Sequence, residues 1–377
     1  MAEPLKHLIS ADVVRQIAHH LQRVNPAFAR QRFVPQALQG LDGLALKARV
    51  MQVARALVDH LPSDVDGACQ QLEASLGPAG QGDQLGQLRT SEAGLAGWAV
   101  WPLTEAVTLL AAEHHPARGL AALQAMTQRL TAEYAIRPFL VHHPVLTQTT
   151  LAGWLAHPSA HVRRLVSEGS RPRLPWGLRL QALVADPSPS LPLLCALQDD
   201  PSAYVRRSVA NHLNDIAKDH PDLIAHWLAC HLPGATPERL ALLRHACRGL
   251  IKQGDGAVLA AWGLGAAWQG RATLALSAPQ VAVGQAQGLT VQLQSTAARP
   301  QKLVIDYAVH HAKANGRQTH KVFKGWALTL LPGAWCHLQR QHSFRIVSTR
   351  RYHAGPHAID LRINGAVVAH AGFELLA

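Results

Sequence analysis

Cysteine is scarce in this chain: five in 377 residues, far apart and never in a CxxC pair. That spacing argues against a zinc ribbon or a disulfide framework and fits a reducing cytoplasm. No stretch approaches the roughly 20 unbroken apolar residues of a membrane helix. The start, MAEPLKHLISADVV, has no basic segment ahead of an apolar run, so no secretory signal is expected. There is no P-loop, no Rossmann glycine fingerprint after a strand, no HExxH and no GxSxG. The 23 histidines are scattered, and pairs such as His114-His115 and His142-His143 point to different helix faces, so no spacing supports a metal site.

Acidic residues are also few, 24 Asp and Glu against 36 Lys and Arg, giving a net charge of +12. The surplus is local. Residues 268–377 hold 12 basic and 3 acidic residues, or +9, whereas the first 267 carry only +3. A concentrated surplus points to a polyanion-binding surface. Hydrophobic residues make up 48%, enough for a packed core, and the length suggests two or three domains.

Two textures divide the chain. Segments 44–61, 117–140 and 237–253 place apolar residues at three- and four-residue spacing, which predicts helices with one buried face. After Trp268 the period becomes two. Leu303, Ile305, Tyr307 and Val309 share one side, as do Ile359, Leu361 and Ile363, and Asn315-Gly316 and Asn364-Gly365 read as hairpin turns. These patterns predict a helical domain over 1–267 and a sandwich of some seven antiparallel strands over 268–377. The Gly-rich segment 77–94 reads as a loop.

The helical half repeats itself. HPSAHVRR (157–164) recurs as DPSAYVRR (200–207), six identities in eight at an offset of 43, and DPSPS (186–190) is a partial third copy. This period is the mark of HEAT-like repeats, which stack into an α-solenoid with a concave wall. Read as helices, 126–137, 161–171 and 203–218 align Arg129, Glu133 and Arg137; Arg164, Glu168 and Arg171; and Arg207, Asn211, Asn214 and Lys218 with Asp215 beside them. One such stripe is ordinary i,i+4 pairing, worth a few tenths of a kcal/mol. Three aligned stripes suggest a wall that holds ionised carboxylates among arginines and suits a polyanion carrying a local cation. Trp176, on the proline-braced loop SEGSRPRLPWG (167–177), is placed to cover a flat or cationic ligand. Trp98, Trp101, Trp154 and Trp227 read as core.

The blocks LTAEYAIRPFL (130–140), HVRRLVSEGSRPRLPW (161–176), YVRRSVANHLNDIAKDHP (204–221) and RHACRGLIKQG (244–254) resemble the AlkC-type bacterial DNA alkylation-repair glycosylases, relatives of AlkD, over roughly residues 5–265. The β region resembles the immunoglobulin-like domain carried by one subgroup. The resemblance implies hydrolytic release of cationic bases, chiefly 3-methyladenine and 3-methylcytosine, without metal or cofactor. It implies that Glu133 matches the acidic residue of the AlkD-like cleft, with Glu168, Trp176 and Asp215 lining the same cleft. The chemistry agrees: an N3-alkylated base is already a cationic leaving group, and anions aimed at the sugar would stabilise the charge that develops there.

The expected partner is double-stranded DNA containing alkylated bases, met by a monomeric, cytoplasmic, nucleoid-associated enzyme. Arg163, Arg164, Arg171, Arg173, Arg206, Arg207 and Lys218 are expected to grip phosphates near the lesion. Lys321, Lys324, Arg345, Arg350 and Arg351 would do so from the β domain. The rival readings are a non-catalytic HEAT scaffold that binds nucleic acid or protein, and a glycosylase that flips its base into a pocket.

Overall fold

A computed structural model of the chain describes residues 5–80, 83, 87–264, 266–315, 317–347 and 351–377. Helices run from Leu5 to Ala261 and strands from Gly270 onward. The chain forms two compact units. One holds Met1–Asp219 with Thr236–Ala246; the other holds His220–Ala235 with Cys247–Ala377, so the last short helices pack with the strands. Among the described residues no helix is long and apolar enough to cross a membrane.

In the first unit the two copies of the repeat have the same local architecture. Ser159 and Ser202 precede the helices Ala160–Gly169 and Ala203–Ile216. The backbone N–H of Ser159 donates to His157 Nδ1 (3.1 Å), and that of Ser202 donates to Asp200 Oδ1 (2.8 Å). The first arginine of each copy folds back onto the turn. Arg163 donates to the carbonyls of His157 and Pro158, and Arg206 to those of Asp200 and Pro201. In the partial copy, Asp186 accepts from the N–H and hydroxyl of Ser188. The shared letters therefore encode a self-bonded turn that starts a helix. The apolar faces supply the core: Leu165, Val205, Val209 and Leu213 are fully buried. Trp101, Trp154 and Trp227 are buried as expected.

Segment 117–140 is not one helix. The helix Pro116–Met126 stops, residues 127–136 form turns, and a new helix spans Arg137–His142. Pro138 fits the start of the new helix. It has no N–H to donate and its ring would clash with the carbonyl four residues back, so it belongs in the first turn of a new helix.

Among the described residues the strand half has eight strands: β1 (Gly270–Leu276), β2 (Gln280–Ala282), β3 (Ala286–Ser295), β4 (Gln301–Ala312), β5 (Gln318–Leu330), β6 (Trp335–Ser343), β7 (Gly355–Ile363) and β8 (Ala366–Leu376). One sheet has the order β1-β3-β6 and the other β2-β8-β7-β4-β5, with only β2 and β8 parallel. Leu303, Ile305, Tyr307 and Val309 are buried together with Ile359, Leu361 and Ile363, so the period of two found the core face. The other face of β4 is not simply polar-out: Asp306 and Ala308 are buried as well. The β7–β8 hairpin turns at Asn364 and Gly365, both at positive φ. A side chain on Gly365 would run into the Cα of Gly254 within the same unit, so glycine is required there twice over. Gly316, of the other expected turn, lies outside the described residues.

Candidate active site

Of the three stripes, the one at Glu168 forms, with Arg164 and Arg171 both on its carboxylate, and the other two do not form as expected. Arg129 donates instead to the carbonyls of Gly77 and Ala125, and Arg137 to those of Gly169 and Leu178. Arg171 and Lys218 lie past the ends of their helices. Asn211 meets His245. The arginine partner of Glu133 comes from the next repeat rather than from its own segment. Arg164 Nη1 donates to Glu133 Oε2 (2.9 Å), and Arg164 Nη2 lies 3.6 Å from Glu168 Oε2. Arg171 then donates to Glu168 Oε1 (2.6 Å) and Asp215 Oδ2 (2.8 Å), and Lys218 to Asp215 Oδ1 (2.8 Å). The result is one line of alternating charge: Glu133, Arg164, Glu168, Arg171, Asp215, Lys218.

All three carboxylates are buried, with Glu133 at 8%, Glu168 at 5% and Asp215 at 1% exposure, but their oxygens are not equally engaged. Ser208 donates to Glu168 Oε2 (2.6 Å), so both Glu168 oxygens are bonded, as are both of Asp215. Glu133 Oε2 accepts from Arg164 and from the Thr131 hydroxyl, while among the described residues nothing donates to its Oε1. Burial alone would push the Glu168 carboxyl up. Arg164 and Arg171, with the Ser208 hydroxyl, outweigh it and hold the group below its ordinary range. Burial likewise opposes the charge on Arg164, and Glu168 and Glu133 more than offset it, so its pKa is raised. Tyr204 backs the same guanidinium, 4.7 Å from its ring centroid.

Trp176 is 62% exposed and its backbone sits at φ 65, in the left-handed region that side chains avoid. Arg137 lies fully buried and bonds Gly169 and Leu178, at the two ends of the loop. Burial, then the charge of Arg171, pull its guanidinium down to about 10, still protonated at neutral pH. Tyr134 and Gly177, the neighbours of Glu133 and Trp176, line one cavity of about 350 Å³ with Lys47, Trp101, Glu105 and Leu178.

The basic residues divide by their partners. Arg163 is committed to Asp200 in a two-point ion pair as well as to its turn, and Arg171 to two carboxylates. Carboxylates of this chain thus hold both guanidiniums, Arg171 through Nε and Nη1. Arg206 is half-buried on its turn, and Arg173 pairs with Asp219. Arg207 and Lys218 are exposed. In the second unit Lys321, Lys324, Arg345 and Arg351 are exposed, and Arg350 lies outside the described residues. Lys321 and Arg351 line a basic concavity of about 730 Å³ with His311, Lys313, His320 and His353.

Sequence reading missed Thr131, Ser208, Tyr204 and His212. Single hydroxyls and rings at these positions carry no periodic signal. His212 is wholly buried; its Nδ1 donates to the Ser167 carbonyl (2.9 Å), and among the described residues its Nε2 has no partner. Burial pulls its pKa down to about 4. As pH falls below about 6.5 the unfolded chain takes a proton that the folded chain refuses. Stability is therefore lost at up to ~1.4 kcal/mol per pH unit, roughly 3 kcal/mol by pH 4. Urea melts at pH 7 and pH 5 should resolve this loss. His212→Asn, which keeps a donor towards Ser167, should flatten the difference.

Comparison with known proteins fits this geometry. The C-terminal region, residues 271–377, matches the family described as "Uncharacterised protein YhaZ, C-terminal Ig-like domain". The uncharacterized protein YhaZ of Bacillus subtilis is 34% identical over 376 residues, 98% of this chain and 99% of that protein. The structure of Pseudomonas fluorescens alkylpurine DNA glycosylase AlkC, bound to DNA containing an abasic site analog, superposes with a TM-score of 0.88 at 35% identity and covers 100% of both chains. This chain belongs to the AlkC family. An AlkC-family architecture of helical repeats followed by an immunoglobulin-like sandwich accounts for both textures of the sequence.

Proposed function

We propose that this protein is a monofunctional DNA glycosylase of base excision repair that hydrolyses the N-glycosidic bond of 3-methyladenine and 3-methylcytosine in double-stranded DNA. Membership of the AlkC family supports the glycosylase class. The observation that carries the chemistry is the open oxygen of Glu133, held beside a fully bonded Glu168. As the C1′–N bond breaks, the cationic base leaves as a neutral molecule and positive charge appears on the deoxyribose. Glu133 and Glu168 face that charge as fixed anions, and their guanidinium partners keep them ionised. Glu133 Oε1 orients the water that adds to C1′; the water's proton passes to the carboxylate and on to solvent. Asp215 supports Arg171, and Trp176 packs on the sugar or base edge. No lysine forms a covalent intermediate, so the product is an intact abasic strand.

We assign the catalytic role to residues 1–267 and a second set of phosphate contacts to 268–377, and place the enzyme as a monomer in the cytoplasm, at the nucleoid. Arg207, Arg173, Arg164 and Lys218 serve the DNA backbone near the lesion, and Arg206 serves it from its turn. Lys321 and Arg351, with Lys324, Arg345 and Arg350, form the second basic surface. For that surface, Lys321→Ala with Arg351→Ala in the full chain should weaken DNA binding and flatten the log K versus log salt slope by about 0.9 per lost contact. An unchanged slope would assign the concavity to another partner.

The deciding experiment is release of free methylated bases from methylated duplex DNA in excess EDTA. 3-Methyladenine and 3-methylcytosine should appear with no strand cleavage. Binding without base release would instead favour a non-catalytic scaffold.

A further inference from the structure

Trp176 is an exposed aromatic in a backbone conformation that costs an L-residue about 1–2 kcal/mol. Something must hold it. The loop is tied to itself by Gly177 N–H to Leu174 O (3.1 Å) and Leu180 N–H to Pro172 O (3.2 Å), and to Arg137 from beneath. The first of these holds the N–H side of the Trp176–Gly177 peptide, and none of them reaches its carbonyl. That contact comes from Lys47, 129 residues away on the helix Leu46–Val58, whose ammonium donates to the Trp176 carbonyl.

Lys47 is not placed there by this bond alone. Its ammonium also sits 5.5 Å from the ring centroid of Tyr134, the residue after Glu133. Tyr134 in turn stacks on Trp101, with centroids 5.3 Å apart, and Trp101 Nε1 donates to Glu105 (3.1 Å). Burial pushes the Glu105 carboxyl up, and the Trp101 bond and the Lys47 charge offset only part of that rise. Lys47 thus meets the Trp176 carbonyl and the Tyr134 ring at the wall of one cavity. A lysine has three donors on a long stem, and its cation gains from the ring face as well as from the carbonyl.

We propose that Lys47 is a positioning residue that fixes Trp176 in its left-handed conformation relative to the segment carrying Glu133. This rests on the glycosylase reading above. It predicts a loss in the chemical step with little loss in DNA affinity, since Lys47 acts through the tryptophan and not on the phosphates.

The test is a double-mutant cycle in the full chain, read by single-turnover base release and by DNA binding. Lys47→Met, which keeps the stem and removes the donor, should slow release at least fivefold with the Kd within twofold. Lys47→Arg, which keeps a cationic donor, should recover most of the rate. In a Trp176→Ala background, Lys47→Met should cost nothing further. Equal losses in both backgrounds, an unimpaired Lys47→Met, or a loss confined to DNA binding would overturn the assignment. A second readout separates it from the functional reading. The fluorescence of Trp176, taken by difference against Trp176→Phe, should become more accessible to acrylamide in Lys47→Met whether or not any base is released. If wild-type protein releases no base, the glycosylase reading fails while this readout still judges Lys47.

Discussion

Glu133→Gln should slow base release by about a hundredfold, or ~2.7 kcal/mol of barrier, while leaving the fold intact. Glutamine keeps an oxygen for Arg164 and the Thr131 hydroxyl, so the local bonds survive. It removes the fixed anion and the basic oxygen that orients water. DNA affinity should hold or rise, because a negative charge leaves a basic surface. Glu168→Gln should differ in kind. Both Glu168 oxygens accept bonds, so the amide sets an N–H against Arg171 or Ser208 and costs stability as well as rate. Single-turnover kinetics beside urea melts will distinguish them. A fully active Glu133→Gln variant would remove the carboxylate mechanism.

Arg171→Met should be the most destabilising single change in the site, by about 3–5 kcal/mol. Arg171 is buried and bridges Glu168 and Asp215 in the charge line. Removing it leaves two buried carboxylates without their shared cation, with Lys218 still on Asp215 and Arg164 and the Ser208 hydroxyl still on Glu168. Against a total stability of roughly 5–15 kcal/mol this is a large fraction. Urea denaturation at pH 7 measures it. Arg207→Ala, on an exposed guanidinium, should change stability by less than about 0.5 kcal/mol. Equal midpoints for the two variants would show that the charge line is not a structural unit.

Much of this was legible before any coordinates. The repeated Pro-Ser-Ala-x-Val-Arg-Arg contains its own turn: Ser159 and Ser202 sit at helix starts, and the first arginines fold onto adjacent carbonyls. Alternation in β4 and β7 marked the sandwich core, and Asn364-Gly365 the hairpin. These are short-range effects, carried by residues within a few positions of each other. Local periodicity misassigned the Glu133 segment: helical spacing continues across 126–137, but the chain leaves the helix at Met126 and starts a new one at Arg137.

By itself, then, the sequence determined the two textures, the repeat turns, the local charge surplus and the identity of the carboxylates. Only the tertiary structure decided how those carboxylates are used. Arg164 reaches Glu133 across 31 residues, Arg171 reaches Asp215 across 44, and Lys47 reaches Trp176 across 129. Which oxygen stays open, which arginine is spent internally and which faces solvent depend on those long-range pairs. Their formation is set by how the repeats stack and by the cost of burying a charge without a partner, neither of which has a period in the chain.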